Sequence, residues 1–267
     1  MADTPTTLFE WPPKAFAKRF EALLPIMARL PTTDREKNDH DTSTETYLRP
    51  GPNEHIIGTL SYDAANEGLT YTLSRLPKID EASRDMWVAL HSLRPLSNNY
   101  SGDTGNPPGH DRPTNVVRKC PFSTSKSRSE STALTLVRNL FNWTSLRLPA
   151  ETSGIFYGVV FRSKRAPGSE STNLYQADKL AHEEAVTSGG LLMYFYGSPD
   201  PDTGVNLATC VWSSRDDARI ASRLPMHRLA VEHARKAYAW FELERYAVVK
   251  RQGEEGVVIE AWDEGAD

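Results

Sequence analysis

Hydrophobic positions recur regularly in the second half of the chain, and their spacing alternates between the strand period and the helix period. The β-branched and aromatic run over 155–161 predicts a strand. Apolar positions over 173–187 follow helical spacing, and Gly189-Gly190 ends that helix. The runs over 191–196 and 206–212 predict the next two strands.

The pattern after residue 212 predicts two helical pieces and a closing strand. Ser213 or Ser214 caps the first piece, and Pro225 breaks it because proline cannot donate to the helical ladder. A second piece then covers 226–240, and a strand follows over 241–249, with 257–262 as an extra strand. The order β-α-β-β-α-β predicts an α+β, ferredoxin-like antiparallel sheet with both helices on one face. The other face must be covered by a second subunit, by the N-terminal half or by a ligand.

The first half of the chain is less regular. Apolar spacing predicts five elements, which are helices over 15–30, 80–93 and 132–143 and strands over 55–62 and 69–73. The polar stretches 32–46 and 97–133 have the composition of loops. We therefore divide the chain into an irregular mixed region over 1–150 and a ferredoxin-like barrel domain over 151–267.

Composition narrows the function classes. The chain has 267 residues, with 31 Lys and Arg against 35 Asp and Glu, so the net charge of −4 argues against nucleic-acid binding. Two cysteines make no disulfide framework. No run of about 18 apolar residues predicts a membrane span, and the first residues do not resemble a secretory signal. We expect a soluble cytoplasmic protein.

Strand alternation suggests an aromatic cleft. Over 191–196 the odd positions are purely apolar, so we expect them to meet the helices, while Tyr194 and Tyr196 face the opposite space. Four residues of neighbouring strands share that space, namely Arg162, Trp212, Glu244 and Tyr246. Such a cleft suits a small, partly apolar ligand that carries a carbonyl or carboxylate. The same face equally suits packing against the N-terminal half or a partner.

Two histidines are candidates for chemistry. His227 follows Pro225 at a helix start, and imidazole suits proton transfer near neutral pH; the alternative is a surface or capping role. His182 precedes Glu183 on the first helix, where a solvated helix face is the simpler interpretation than a ligand role. Neighbouring residues point about 100° apart on a helix, and neither His-Glu-x-x-His nor a paired-cysteine motif occurs, so no metal site is predicted.

The span 154–250 resembles the dimeric α+β barrel superfamily, which contains antibiotic-biosynthesis-type monooxygenases, stress-responsive barrel proteins, polyketide cyclases and haem-binding relatives. The resemblance is carried by the strand over 206–212, by Ser213-Ser214-Arg215-Asp216-Asp217-Ala218 and by Leu224-Pro225-Met226-His227. It implies an acid/base role for His227 in the Pro-x-His step. It also implies dimerisation over the sheet and, more weakly, haem held by His227 or His182.

The whole chain also resembles an uncharacterised fungal protein family. That likeness is carried by Ala181-His182-Glu183-Glu184-Ala185, by Asn206-Leu207-Ala208-Thr209-Cys210 and by Leu243-Glu244-Arg245-Tyr246. This resemblance implies no particular activity.

The leading hypothesis is a small-molecule enzyme, a cyclase, decarboxylase, dehydratase or cofactor-free oxygenase, acting on an aromatic or polyketide-like substrate. The candidate catalytic residues are His227, Tyr194 and Arg162, and the candidate substrate-binding residues are Tyr196, Trp212, Tyr246 and Glu244. The sequence requires no cofactor. The rival is a non-catalytic binding or interaction protein, and a homodimer through the open sheet face is a further expectation. A closed pocket on that face, reached by His227, would favour the enzyme, whereas N-terminal side chains filling the face would argue against it.

Overall fold

The computed structural model describes residues 42–50, 55–63, 65–66, 68–76, 78–100, 132–169, 172–200 and 202–263, and for 42–50, 55 and 172 it describes the backbone alone. The helix predicted over 15–30 and most of the loop predicted over 97–133 lie outside these residues. In chain order the helices and strands are β1 (Thr42–Pro50), β2 (His55–Asp63), β3 (Gly68–Tyr71), β4 (Ser74–Leu76), α1 (Glu81–Leu90), α2 (Thr132–Leu140), β5 (Gly154–Arg165), α3 (Thr172–Ser188), β6 (Leu191–Gly197), β7 (Val205–Trp212), α4 (Arg215–Ser222), α5 (Pro225–Ala237), β8 (Tyr238–Lys250) and β9 (Val257–Ala261). None of the described helices is both long and apolar enough to span a bilayer.

Local chemistry fixes several helix boundaries. Asp80 caps α1 by accepting a hydrogen bond from the Ser83 amide at 2.7 Å. Ser214, one of the two serines predicted to cap α4, accepts from the Asp217 amide at 3.2 Å. Pro225 takes the first turn of α5, as predicted, because its missing N–H has no helical partner there. β8 begins at Tyr238, so α5 ends earlier than the apolar spacing predicts.

One antiparallel sheet runs through the described residues in the order β1-β2-β3-β6-β7-β5-β8-β9, with β4 paired to β2. Its portion β6-β7-β5-β8, connected through α3 and through α4 and α5, is the predicted ferredoxin-like arrangement, which is confirmed. β3 pairs with β6, so the first-half strands extend the same sheet. β1 shows that the loop predicted over 32–46 is wrong for 42–46. The domain boundary near residue 150 stays a prediction.

Helices cover both faces of the sheet. On one side, the α3 face, Tyr157, Tyr196 and Trp212 pack with Ala185 of α3 and Ala221 of α4. The opposite side is the α1–α2 face, where sheet residues pack against the first-half helices; among them are Phe156, Val160, Leu207, Tyr246 and Val248, which meet Met86, Leu134 and Val137. The sequence analysis allowed this face to be covered by a second subunit, by the N-terminal half or by a ligand. The structure shows that the N-terminal half covers it. The open surface expected to form a homodimer is therefore closed by the chain's own helices.

The α1–α2 core depends on a missing side chain in β5. Gly158 pairs with Tyr246 of β8, and a Cβ atom at Gly158 would collide with the Tyr246 ring. That ring is fully buried, and its hydroxyl lies 2.8 Å from Thr209 Oγ1. Glycine at this position therefore gives the tyrosine its space.

We predict that Gly158→Ala lowers the free energy of unfolding by about 1–3 kcal/mol, because overpacking forces Tyr246 from its rotamer. Urea unfolding followed by circular dichroism measures the loss. Gly256→Ala is the matched control, since a Cβ atom there meets nothing within 4 Å. Equal stabilities for the two variants would contradict the packing argument.

Candidate functional site

The structure divides the residues that the sequence placed in one cleft. Tyr194, Tyr196 and Trp212 lie on the α3 face, against helices. Arg162, Glu244 and Tyr246 lie on the α1–α2 face, since Glu244 pairs with Val160 and Tyr246 with Gly158. The predicted cleft is therefore wrong.

The error has a physical cause in β6. Met193 and Phe195, the apolar set expected to meet the ferredoxin-like helices, pack instead in the α1–α2 core. A register irregularity between Leu191 and Met193 moves Leu191 to the α3 face. Because helices cover both faces, an apolar set does not identify the side on which α3 lies.

Arg162 has a packing role on its face. Its side chain is 8% exposed, its Nε donates to the Tyr100 carbonyl at 2.8 Å, and its Nη1 donates to Glu242 Oε1 at 3.2 Å. The guanidinium carbon lies 4.9 Å from the centroid of the Trp240 ring. These contacts join β5 to β8 and to the chain at Tyr100, far from the tyrosines of the α3 face.

His182 is a residue of α3 whose side chain is buried against the sheet. The prediction that it lies on a solvated helix face is therefore wrong. The residue is 8% exposed, and its ring centroid lies 4.6 Å from that of Tyr71 and 5.2 Å from that of Tyr194. Burial lowers its pKa to about 3, so the imidazole is neutral at physiological pH. Its Nε2 is buried and has no hydrogen-bond partner within the described structure.

Asp178 lies one turn before His182 on the same helix. The Tyr194 hydroxyl donates to Asp178 Oδ2 at 2.8 Å. Burial raises the pKa of Asp178 to about 6, and the hydrogen bond from Tyr194 opposes part of that rise. Burial, with the charge of Asp178, raises the pKa of the Tyr194 phenol well above its usual value. The site thus holds a carboxyl that titrates near neutral pH beside a neutral imidazole.

Further aromatic groups continue this site along the α3 face. Tyr175 and Tyr196 pack edge to face with centroids 5.9 Å apart. Cys210 pairs with Tyr194 across the sheet, and burial raises the pKa of its thiol to about 11. Trp212 Nε1 donates to Cys210 Sγ at 3.0 Å. We call the group comprising Tyr71, Tyr175, Asp178, His182, Tyr194 and Tyr196 the α3 cluster.

His227 lies elsewhere, at the first turn of α5. Glu184 Oε2 accepts hydrogen bonds from the backbone amides of Met226 at 2.9 Å and of His227 at 3.2 Å, which ties α5 to α3. Burial lowers the pKa of the half-buried His227 imidazole, and the charge of Glu184 opposes that shift. His227 thus lies at the junction of α5 with α3 and is not a member of the α3 cluster.

The sequence interpretation missed Asp178 and Tyr71. Asp178 carried a signal, because Leu174, Asp178 and His182 are spaced four apart on the apolar stripe of a predicted helix. A carboxyl on a buried stripe marks a functional position more often than a solvated one does. Tyr71 carried no comparable signal, since its place beside His182 depends on the pairing of β3 with β6.

The surroundings of His182 do not fit haem. An axial histidine needs a flat slot for the porphyrin beside its free nitrogen. The ring of His182 instead packs against two phenol rings, and Asp178 is one helical turn away. Within the described ranges, no three His, Cys, Asp or Glu side chains are placed to hold a metal ion.

We predict that Asp178→Asn stabilises the protein at neutral pH. The folded carboxyl keeps its proton up to about pH 6, whereas the pKa of an ordinary aspartate, as in the unfolded chain, is 3.8, so ionisation costs folding energy as the pH rises between these values. At pH 7 the variant should unfold with a free energy higher by about 2–3 kcal/mol, at about 1.4 kcal/mol per pKa unit. The gain should vanish below about pH 4, where both states of the wild type are protonated.

Denaturant unfolding at pH 4, 5, 6 and 7 measures the difference between variant and wild type. Asp202→Asn, at an exposed aspartate, is the control and should show no such pH-dependent gain. A gain for Asp178→Asn that is the same at all four pH values would contradict the buried-carboxyl assignment.

Solved structures that are similar to part of this chain include a protein named as an antibiotic biosynthesis monooxygenase from Chloroflexus aurantiacus. It is 24% identical, with a TM-score of 0.28, over 37% of this chain and 96% of its own. SnoaB, a cofactor-independent oxygenase from Streptomyces nogalater, is 12% identical, with a TM-score of 0.32, over 37% of this chain and 98% of its own. The ferredoxin-like topology of this chain follows from its own strand order.

A curated relative is the UPF0643 protein PB2B2.08 of Schizosaccharomyces pombe. It is 38% identical over 102 residues, which make up 36% of this chain and 46% of the relative, so the match spans about half of that protein's length. The family model described as PB2B2.08-like matches residues 121–261, a range that contains α2, every residue of α3 and the strands β5 to β9. That range is more than half of the sequence, and the chain belongs to the PB2B2.08-like family.

Proposed function

We propose that the protein is a small-molecule enzyme that transfers protons on an aromatic or polyketide-like substrate, with its chemistry in the α3 cluster. One observation carries the proposal. The buried, unpartnered Nε2 of His182 lies in the same cluster as a carboxyl with a pKa of about 6 that is hydrogen-bonded to Tyr194. Buried polar atoms are nearly always satisfied, so an orphan beside a titratable acid favours a ligand site.

Asp178 is the general base in this proposal. A base works best when its pKa lies near the working pH, and Asp178 meets that condition. It would accept a proton from the carbon next to a substrate carbonyl, and the electron pair of the broken C–H bond would move onto the carbonyl oxygen. Tyr194 donates to the carboxylate and fixes its orientation.

His182 would stabilise the resulting enolate. Because its pKa is about 3, the ring stays neutral, and in the tautomer with a proton on Nε2 it donates a hydrogen bond to the oxygen. An enolate or phenolate is the shared first intermediate of the cyclisation, decarboxylation, dehydration and cofactor-free oxygenation that the sequence predicted. Tyr196 and Trp212 keep their proposed roles as apolar walls, whereas Arg162, Glu244 and Tyr246 lie on the other face.

The rival hypothesis is a binding protein without catalysis. It is favoured by the filling of the α1–α2 face, which removes the cleft first expected there. A second alternative keeps His227 as the acid/base, at the junction of α5 with α3. One assay with matched variants separates the three.

The test is hydrogen–deuterium exchange next to the carbonyl of 1-tetralone in D2O, followed by proton NMR. We expect the protein to accelerate exchange above buffer and Asp178→Asn to reduce the acceleration at least about 100-fold, as expected for loss of a general base. His182→Gln should also reduce it, while His227→Gln should leave it unchanged. Circular dichroism of each variant checks that the fold is retained.

Other results would decide against the proposal. Loss of exchange in His227→Gln with full activity in His182→Gln would move the site to α5. Exchange by the wild-type protein no faster than in buffer would contradict the enzyme proposal and leave the binding protein.

A further inference from the structure

The α3 cluster continues towards Arg165, the last residue of β5. The pairing with β8 is irregular between Lys164 and Arg165, and the contact of the guanidinium with Tyr175 places Arg165 on the α3 face, opposite Arg162. Its guanidinium carbon lies 5.7 Å from the centroid of the Tyr175 ring and 5.9 Å from that of Tyr238. Its Nε donates to Ser169 Oγ at 3.2 Å, and its Nη2 donates to the Ser169 carbonyl at 3.3 Å. These contacts fix the orientation of the positively charged Arg165 guanidinium against the aromatic rings.

A second orphaned polar atom lies at this same end. Ser163 is 1% exposed, and its Oγ makes no hydrogen bond of regular geometry in the described structure; its neighbour is the Tyr238 phenol, whose pKa is raised by burial and lowered in part by a weak hydrogen bond with this hydroxyl. Strand alternation from Tyr157 places Ser163 on the same α3 face as Arg165. A buried hydroxyl without a regular hydrogen bond costs folding energy, which calls for an explanation.

The two orphaned atoms lie at opposite ends of a tyrosine wall. From Arg165 the rings follow one another through Tyr175 to Tyr196, with 5.9 Å between the last two centroids. Tyr194 lies two residues back along β6, at about 6.6 Å in a strand, and packs against His182. On α3, Asp178 follows Tyr175 by three residues, about 4.5 Å along the axis. With successive steps of about 5–7 Å from Arg165 to His182, the wall is long enough for a ligand with two fused rings.

The two ends of the tyrosine wall differ in charge and therefore suit different groups of a ligand. Burial keeps His182 and the phenols neutral, whereas Arg165 is always protonated. A guanidinium beside a hydroxyl suits a carboxylate, which accepts hydrogen bonds from both. The neutral imidazole at the far end suits a carbonyl or hydroxyl oxygen.

We propose that the α3 cluster binds planar, two-ring aromatic acids, with the carboxylate on Arg165 and Ser163 and the ring oxygen at His182. This assignment rests on the proposed function for its location, and it names the substrate class of that site. The acid group selects the ligand and orients it so that its reacting end meets Asp178. In this proposal Arg165 orients the ligand, whereas Arg162, predicted as a catalytic residue, lies on the opposite face.

The test is a fluorescence titration with 6-hydroxy-2-naphthoate, whose acid and hydroxyl groups lie at opposite ends of the fused rings, and with its uncharged carboxamide. We expect the wild-type protein to bind the acid at least about tenfold more tightly than the amide, as a charge-assisted contact provides. Arg165→Gln should abolish that preference, and Arg165→Lys should restore only part of it because the planar fork is lost. Arg219→Gln, at an exposed arginine of α4, controls for the change in net charge and should bind like the wild type.

Ser163→Ala separates ligand binding from a structural role. Because this hydroxyl makes no hydrogen bond of regular geometry and interacts only weakly with Tyr238, its removal should leave the melting temperature unchanged or higher, while affinity for the acid falls about threefold to tenfold. A lower melting temperature with unchanged affinity would show that the hydroxyl is structural.

The outcomes are distinguishable from those of the exchange assay. Equal affinity for acid and amide, or an unchanged preference in Arg165→Gln, would overturn the ligand assignment even if tetralone exchange is accelerated. Conversely, an acid preference that depends on Arg165, without any exchange activity, would support this binding site and contradict the enzyme proposal. Absence of binding to either compound would overturn the assignment.

Discussion

The hydrogen bond between Tyr194 and Asp178 joins helix α3 to the middle of the sheet, and the candidate site depends on it. The phenol donates at 2.8 Å from the strand, and the carboxyl accepts from the helix. With this contact in place, the next turn of α3 puts His182 between Tyr71 and Tyr194 and away from solvent. One polar contact between helix and sheet thus sets the burial, and through burial the protonation, of its neighbours.

The second half of the fold could be predicted because its signals are local. Helical spacing, the Ser214 cap and the break at Pro225 each act within a few residues, and the β-α-β-β-α-β order follows from them. The assignment of faces failed because it depends on distant packing. Met193 and Phe195 are apolar on account of α1 and α2, which the ferredoxin-like pattern does not contain. Alternation predicted that Tyr194 and Tyr196 share a face, but not which residues of the neighbouring strands join them or which helices lie on that face.

The first half of the chain completes the site as well as the core. Tyr71 reaches His182 only because β3 pairs with β6, and β3 lies before the range matched by the family model, residues 121–261. The family-matched segment therefore supplies Asp178, His182 and Tyr194, while the preceding strands add one aromatic wall. By the same extension α1 covers the sheet face that would otherwise be open. Variation in the first half would thus alter the wall at His182 without touching the acid and the phenol.

Two orphaned polar atoms in one layer argue for function over packing. An unsatisfied buried group costs about 1–3 kcal/mol, a large part of a domain's net stability. His182 and Ser163 would each be replaced at a gain in stability by an apolar residue if packing alone mattered. The raised pKa of Asp178 adds a further cost on the same face. Other buried hydroxyls in the described part of the chain, those of Ser74 and Ser198, also lack a regular hydrogen bond, but His182, Ser163 and the acid Asp178 lie along one tyrosine wall, as expected where stability has been given up for a binding site.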